Sequence, residues 1–136
     1  MGKERGINEE KHENDAAMSE KNIKNTAKKS LAGRVIAVDK EGYLRNLSDW
    51  SEDVASAIAI EESITLSGDH WDVIYLLREF YQTFEISPAM RPLVKYVGVK
   101  LGKEKANSIY LLRLFPPSPA KVASKIAGLP RPTNCL

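Results

Sequence analysis

The sequence contains a single cysteine, two histidines and no long apolar stretch. These shortages exclude several classes of protein. One cysteine excludes an internal disulfide framework and a dithiol redox cycle within one chain. No apolar run approaches the ~20 residues that a membrane-spanning helix needs. The net charge is only +2, so no large electrostatic field points to nucleic acid or to a membrane surface. A lone thiol fits a reducing compartment best, which favours the cytoplasm.

The 136 residues suffice for one domain with one hydrophobic core, and 43% of them are apolar. The start of the chain differs from this average. Residues 1–32 contain no aromatic residue and few aliphatic ones, whereas Glu, Lys and Asn are frequent. Such a segment buries too little apolar surface to offset the entropy lost on ordering, which predicts a disordered N-terminal extension. The alternative is a fraying helix within residues 14–29.

A folded domain is predicted for residues 33–128. Two β-prone runs flank a polar loop that contains Gly42, which predicts a β-hairpin formed by Arg34–Val38 and Tyr43–Leu47. Cap residues and apolar residues spaced three and four apart then predict five helices. Their expected ranges are Ser48 or Ser51 to Glu62, Ser67–Phe84, Ser87–Leu101, Glu104–Phe115 and Ser118–Gly128. In the fourth helix, Ile109, Leu112 and Leu114 are expected to face the core. The predicted fold class is mainly α (α+β), with the N-terminal hairpin packed on a bundle of about five helices.

Residues 129–136 predict a mobile C-terminal arm that carries Cys135 next to the end of the sequence. Pro130 and Pro132 each lack an N–H and fix φ, so neither a helix nor a central strand can continue through them. Polyproline-like extension at about 3 Å per residue would carry the thiol roughly 20 Å beyond Gly128. The thiolate is the reactive form of cysteine. The adjacent terminal carboxylate is expected to oppose its formation, so a partner protein is expected to supply the activation.

No second covalent or metal-binding site stands out in the sequence. His70 has no further ligand at metal spacing, and it is interpreted as a hydrogen-bonded structural histidine. No nucleophile-histidine-acid arrangement, paired carboxylate site or glycine-rich phosphate loop rises above background. We therefore expect no metal ion and no organic cofactor.

Six basic residues are candidates for contacts with a partner. Lys121, Lys125 and Arg131 lie near the base of the arm, where they could steer docking onto an acidic surface. Arg91 and Lys95 lie four apart on the third helix, and Arg113 lies on the fourth. The alternative is ordinary solvated charge, or helix-surface pairs with Glu85 or Glu104. Aromatic residues are not interleaved with these cations, so sequence-specific nucleic-acid binding is not expected.

Several linked motifs resemble the DsrC/TusE family over the chain from about Gly33 to the end. The C-terminal ones are Tyr110-Leu111-Leu112-Arg113-Leu114-Phe115-Pro116, then Pro119-Ala120-Lys121, then Lys125-Ile126-Ala127-Gly128-Leu129-Pro130-Arg131-Pro132, and Cys135. Earlier ones are Asp39–Leu44, Trp50-Ser51-Glu52, Leu66-Ser67, His70-Trp71 and Ser87-Pro88-Ala89-Met90-Arg91-Pro92-Leu93-Val94-Lys95. One departure is Ser118, where the family usually has glycine.

The resemblance implies a small helical protein that carries sulfur as a persulfide on Cys135. In the DsrC branch a second cysteine sits eleven positions earlier, where this chain has Ser124. A serine cannot form a disulfide, so the single-cysteine TusE-like branch is the better match. That branch takes sulfur from a TusBCD complex and gives it to the tRNA 2-thiouridine synthase, which thiolates the wobble uridine. Those two partners, and a sulfurtransferase-type activity that needs them, are what the resemblance implies here.

Two alternatives stay open at this point. One is a single-cysteine DsrC-like paralogue in dissimilatory sulfur metabolism or its regulation. The other is a helical DNA-binding or protein-binding module in which Cys135 is only a redox-sensitive residue, although no basic recognition helix stands out.

Overall fold

The computed structural model describes residues 26–133, which form a two-stranded antiparallel sheet followed by five α-helices. The strands are β1 (Thr26–Leu31) and β2 (Arg34–Asp39). The helices are α1 (Glu52–Glu61), α2 (Gly68–Phe84), α3 (Met90–Leu101), α4 (Ser108–Leu114) and α5 (Pro119–Ile126). Short 3₁₀ turns at Leu47–Asp49 and Lys103–Lys105 precede α1 and α4. The predicted hairpin-plus-five-helix fold is confirmed.

The hairpin uses a different first strand from the one predicted. β1 pairs with β2 in the register Thr26↔Asp39 to Leu31↔Arg34. The turn between them consists of Ala32 and Gly33, both with positive φ (53° and 76°), as a two-residue hairpin loop of this twist requires. The predicted partner run Tyr43–Leu47 contributes only one bridge, between Leu44 and Val38. The assignment of residues 26–32 to a disordered extension is therefore wrong, while residues 1–25 lie outside the described part of the chain.

The composition of β1 is poor in strand-forming residues, so its stability depends on tertiary contacts. Of its six residues only Leu31 is buried, at 2% exposed, and it packs in the core with Ile36 of β2. The Lys29 ammonium lies 2.6 Å from the Glu61 carboxylate on α1. Lysines on an edge strand also discourage pairing with other chains. A strand of this kind gives almost no periodic signal in the sequence.

Helices α1 and α2 follow the predicted pattern. The Ser51 side chain caps α1 by accepting a hydrogen bond from the Val54 N–H at 3.2 Å. The apolar face of α1 is buried as expected, through Val54, Ala55, Ile58 and Ala59. Helix α2 begins after Ser67 and buries Val73, Ile74 and Leu77 completely. It is the longest helix and supplies the central part of the core.

Two predictions about α3 and α4 are wrong. Helix α3 begins at Met90, and Ser87 does not cap it but hydrogen-bonds to the arm. In α4, Ile109 and Leu112 are 63% and 45% exposed, whereas Leu111 and Phe115 are fully buried. The sequence from 109 to 115 is apolar on almost every side, so its spacing does not determine which stripe faces the core.

Helix α5 is short but central. It starts at Pro119, as predicted from the cap-then-proline signal, and it contacts each of the four other helices. Ala120 and Ala123 are buried against them, and such small side chains allow helices to approach closely. None of the helices within residues 26–133 is long and apolar enough to cross a membrane.

Candidate functional site

Cys135, the predicted sulfur acceptor, lies two residues beyond the last described residue, Thr133. What the structure does show is the base of the arm, residues 128–133, and the surface it leaves. The expectation that the chain leaves the fold at residue 129 is wrong. Leu129 is a core residue at 1% exposed, and Pro132 is also buried.

Gly128 ends α5 in a backbone conformation and a close contact that only glycine can accommodate. The Gly128 N–H bonds to the Lys125 carbonyl at 3.1 Å, and the Leu129 N–H bonds to the Ser124 carbonyl at 3.0 Å. This pair of bonds is a Schellman closure, in which the first residue beyond the cap is left-handed. Gly128 has φ = +75°, and a Cβ at this position would lie 2.4 Å from Cδ1 of Trp50. Both the backbone angle and the neighbouring ring therefore exclude a side chain.

Trp50 and Arg78 satisfy the carbonyl groups that this closure leaves free. A helix end leaves carbonyls without intrahelical partners, and buried ones need donors from elsewhere. Trp50 Nε1–H donates to the Ile126 carbonyl at 2.8 Å, and Arg78 Nη1–H donates to the Ala127 carbonyl at 2.7 Å. With the Schellman bonds, every carbonyl from residue 124 to 127 has a partner. The C-terminus of α5 is thus held by side chains from two distant parts of the chain.

The Arg78 guanidinium is a partly buried charge. It lies 3.9 Å above the centroid of the Trp50 ring, a cation–π geometry. Burial lowers the pKa of Arg78 from its usual value, although the group remains cationic. Among the described residues, no carboxylate forms an ion pair with it. Its charge is therefore stabilised by an aromatic face and a carbonyl dipole.

Two weaker contacts guide the arm after Leu129. The Ser87 hydroxyl donates to the Pro130 carbonyl, and Arg131 Nε lies 3.3 Å from the Glu41 carboxylate in the loop after β2. Both members of that ion pair are about half exposed, so it contributes little stability.

A groove runs along the arm at the C-terminal end of α2. One part, of about 310 Å³, is lined by Leu47, Arg78, Tyr81, Gln82, Glu85 and Leu129. The adjoining part, of about 150 Å³, shares Tyr81 and Glu85 with it and reaches Ile86, Ser87, Pro130, Arg131 and Thr133. Leu47 and Ile86 are 38% and 62% exposed, so the groove has apolar walls open to solvent. Thr133, the last described residue, lines this groove.

The structure separates the six basic candidates into two sets. Lys125 and Arg131 are paired, with Lys125 Nζ 3.6 Å from Glu62 and 5.2 Å from the Tyr43 ring centroid. The second set forms no ion pair within residues 26–133, and the expected pairs with Glu85 or Glu104 are not formed there. Its members are Arg91, Lys95, Arg113 and Lys121.

Ser124, at the position of the second DsrC cysteine, is fully buried on α5 at 0% exposed. Its hydroxyl has no hydrogen-bond partner among the described residues. It therefore lies inside the domain, beneath the base of the arm, and presents no reactive group to solvent.

His70 is a structural residue, as predicted. Its Nδ1 accepts a hydrogen bond from the Ser67 N–H at 3.0 Å, so the neutral ring carries its proton on Nε2. Nε2 lies 2.8 Å from the Leu114 carbonyl and donates to it, which ties α2 to α4. Within residues 26–133 no three His, Cys, Asp or Glu side chains converge as metal ligands.

The fold and the site define a small α+β domain in which the segment from Gly128 to Thr133 is anchored at its base and lies beside an open groove. The family model described as DsrC-like protein matches residues 30–136, a range that includes Cys135. The chain therefore belongs to the DsrC-like family.

Named relatives point to sulfur transfer. The sulfurtransferase TusE of Yersinia pseudotuberculosis is 55% identical over 104 residues, which cover 76% of this chain and 96% of that protein. The TusE of Buchnera aphidicola from Schizaphis graminum is 52% identical and covers 84% and 99%. These relatives support a sulfur-relay role.

Solved structures share the fold. The Allochromatium vinosum DsrC structure has a TM-score of 0.74 and 50% identity, and covers 82% of this chain and 99% of that one. The oxidised DsrC subunit of the Archaeoglobus fulgidus dissimilatory sulfite reductase has a TM-score of 0.70 and 34% identity, with coverages of 81% and 100%.

The sequence alone did not reveal the roles of Trp50 and Arg78. Trp50 donates its hydrogen bond to the Ile126 carbonyl, which lies 76 residues further along the chain. Arg78 gave one usable signal, since it is a charged residue next to the buried Leu77 and one turn from the buried Ile74 on the long helix α2. Its partner at Ala127 is 49 residues away and is a backbone group, which no side-chain pattern encodes.

Proposed function

We propose that this chain carries sulfur as a persulfide on Cys135, accepts it from a TusBCD-like complex, and passes it to the tRNA 2-thiouridine synthase. The observation that carries the proposal is the match to TusE sulfurtransferases at 55% identity over 76% of the chain. The family match includes Cys135, the only cysteine of the sequence. Because a lone carrier thiol works best in a reducing compartment, we propose that the protein acts in the cytoplasm.

The transfer needs no cofactor and no net oxidation. The Cys135 thiolate attacks the outer sulfur of a donor persulfide, a new S–S bond forms, and the donor's S–S bond breaks to release the donor thiolate. Cys135 then holds a persulfide. In the second step an acceptor thiolate attacks that outer sulfur, the bond to Cys135 breaks, and the Cys135 thiolate is regenerated.

The unpaired cations are the best candidates for partner contacts. Arg91, Lys95, Arg113 and Lys121 need not give up an existing ion pair with a described residue to bind an acidic surface. Lys125 and Arg131 already pair with Glu62 and Glu41, so they have less to gain. Electrostatic contacts of this kind mainly set association rate and partner choice.

A second candidate function is a DsrC-like role in dissimilatory sulfur metabolism. The observation that favours it is the 50% identity to Allochromatium vinosum DsrC. Ser124 argues against the two-cysteine version of this role. It is buried, and a serine hydroxyl cannot form a disulfide bond with Cys135. The relay to tRNA therefore remains our first proposal.

The test is the 2-thiouridine content of tRNA from a strain that lacks this gene, measured by mass spectrometry of nucleosides. We expect the modification to be lost on deletion and restored by the wild-type gene and by a Lys28→Gln control, since Lys28 is an exposed strand residue. The Cys135→Ser gene should fail to restore it. Normal 2-thiouridine in the deletion strain would refute the tRNA pathway, and restoration by Cys135→Ser would refute the carrier role of the thiol.

A further inference from the structure

Two consecutive peptide planes at the base of the arm are each held by hydrogen bonds at both the carbonyl and the N–H. The plane between Ile126 and Ala127 is held by Trp50 at its carbonyl and by Ala123 at its N–H, at 2.8 and 2.9 Å. The next plane is held by Arg78 at the Ala127 carbonyl. The Gly128 N–H of that same plane bonds to Lys125. Because a peptide unit is planar, fixing its oxygen and its N–H fixes its orientation.

The direction in which the arm leaves α5 follows from these planes. Gly128 has an unusually wide choice of backbone angles, so the exit direction would be poorly defined if its neighbours were free. The two side-chain donors remove that freedom from outside the helix. The later polar contacts are weaker, since Arg131 and Glu41 are about half exposed and the Ser87 bond to Pro130 stands alone. The apolar contacts of Leu129 and Pro132, which are both buried, hold the segment against the fold but donate no hydrogen bond that orients these peptide planes.

Arg78 does more than donate a hydrogen bond to the Ala127 carbonyl. It places a charge in a partly buried site where no described carboxylate pairs with it, an arrangement that costs desolvation energy. The planar guanidinium stacks on Trp50 while it reaches Ala127, which locks the two donors into one unit. It also lines the groove next to Leu129, where the arm begins.

We propose that Trp50 and Arg78 act together as positioning residues, here called the arm clamp, which fix the exit direction of residues 128–133 along the groove at the end of α2. The clamp does not touch the transferred sulfur. It acts by reducing the volume that the thiol explores, which raises the fraction of encounters with a partner that are correctly oriented. Its consequence for sulfur transfer depends on the proposed carrier function, whereas its effect on the arm does not.

The test uses Cys135 as a unique labelling site, since it is the only cysteine. A nitroxide attached there broadens the backbone amide NMR signals of nearby residues. In the wild-type protein we expect broadening at groove residues, with Gln82, Glu85 and Ile86 as reporters. In Arg78→Gln the broadening at these reporters should fall to roughly half or less and spread over other surfaces, because loss of the donor at the Ala127 carbonyl frees the peptide plane that sets the direction of residues 128–133.

Two further variants keep the test decisive. Glu79→Gln, on the same helix, removes only the exposed pair with Lys100 and should leave the broadening pattern unchanged. Arg78→Lys keeps the charge but loses the planar stack, and it should show the same redistribution if Arg78→Gln fails to fold. Thermal unfolding fixes a measuring temperature at which every variant is folded. Unchanged broadening in a folded Arg78 variant would overturn the positioning role, even if that variant were less stable.

Loading with inorganic polysulfide separates this inference from the proposed function. Intact-mass spectrometry should show one added sulfur on the wild type and on Arg78→Gln alike, because a small donor does not need an oriented arm. Failure of the wild type to load would refute the carrier function and leave the clamp standing. Normal loading with unchanged nitroxide broadening in Arg78→Gln would refute the clamp and leave the carrier function standing.

Discussion

Replacing Gly128 with alanine tests the structure at the base of the arm most severely. The new Cβ would lie 2.4 Å from Cδ1 of Trp50 and 2.8 Å from Cγ, closer than carbon atoms approach in proteins. The methyl group cannot turn away, because it is fixed to a backbone held by Lys125 and Ser124. Either the chain must shift or Trp50 must leave its place against Ile126.

Two free-energy costs determine how far this substitution should lower the free energy of unfolding. A non-glycine residue in the left-handed region costs about 1–2 kcal/mol. If Trp50 moves, the buried Ile126 carbonyl loses its donor, which costs roughly 1–3 kcal/mol. The free energy of unfolding should therefore fall by about 2–5 kcal/mol, and the melting temperature should fall by about 10–20 °C for a domain of this size.

Gly33→Ala is the matched control. Gly33 has nearly the same φ, +76°, but nothing lies within 4 Å of its missing Cβ. It should lose only the backbone term of about 1–2 kcal/mol. Urea unfolding followed by circular dichroism measures both variants, and the difference between them isolates the contact with Trp50. Equal losses at Gly128 and Gly33 would refute the close approach of Trp50 to the arm.

Three other predictions concern separate parts of the fold. Ala32→Asn should raise the free energy of unfolding by about 0.5–1 kcal/mol in urea unfolding, because Ala32 has φ = 53° and asparagine tolerates this region better; a loss of stability would contradict the assigned turn. Ser124→Ala should be neutral or stabilising by up to about 1 kcal/mol, because it removes a buried hydroxyl without a described partner; a loss above about 1 kcal/mol would show that the hydroxyl is bonded. Burial, followed by the charge of Asp69, raises the pKa of Tyr110 above its ordinary value of about 10. The unfolded chain therefore loses this proton first, and stability should fall as pH rises above about 10. Tyr110→Phe should show a shallower fall between pH 9 and pH 11, and equal slopes in the two proteins would contradict the shift.

The sequence was sufficient for the helices whose signals are local. Ser51 as a cap, the apolar face of α1, the long apolar stripe of α2 and the serine-proline start of α5 all depend on residues within a few positions of one another. Gly128 at the end of α5 was predicted for the same reason.

The failures occurred where distant contacts decide the structure. β1 has one buried residue, Leu31, and its pairing with β2 depends on a turn at Ala32 and Gly33 that lacks a strong sequence signal. Ser87 resembles a helix cap but bonds to Pro130, which lies 43 residues further along. The prolines at 130 and 132 exclude regular structure without excluding burial, so Leu129 and Pro132 pack against the fold.

The candidate site was predicted in part. The sequence identified Cys135 and the basic residues as candidates, because single residue types carry those signals. It could not identify the arm clamp, since Trp50 and Arg78 act on backbone carbonyls whose position is set only when α1, α2 and α5 are packed.

The most direct test of the central claim is the intact mass of the protein after exposure to a persulfide donor, with and without later addition of a thiol reductant. The wild type should gain the mass of one sulfur and lose it on reduction, and peptide mapping should place the sulfur on Cys135. Cys135→Ser should gain nothing under the same conditions. A wild-type protein that takes up no sulfur, or a Cys135→Ser variant that takes up as much as the wild type, would contradict the account.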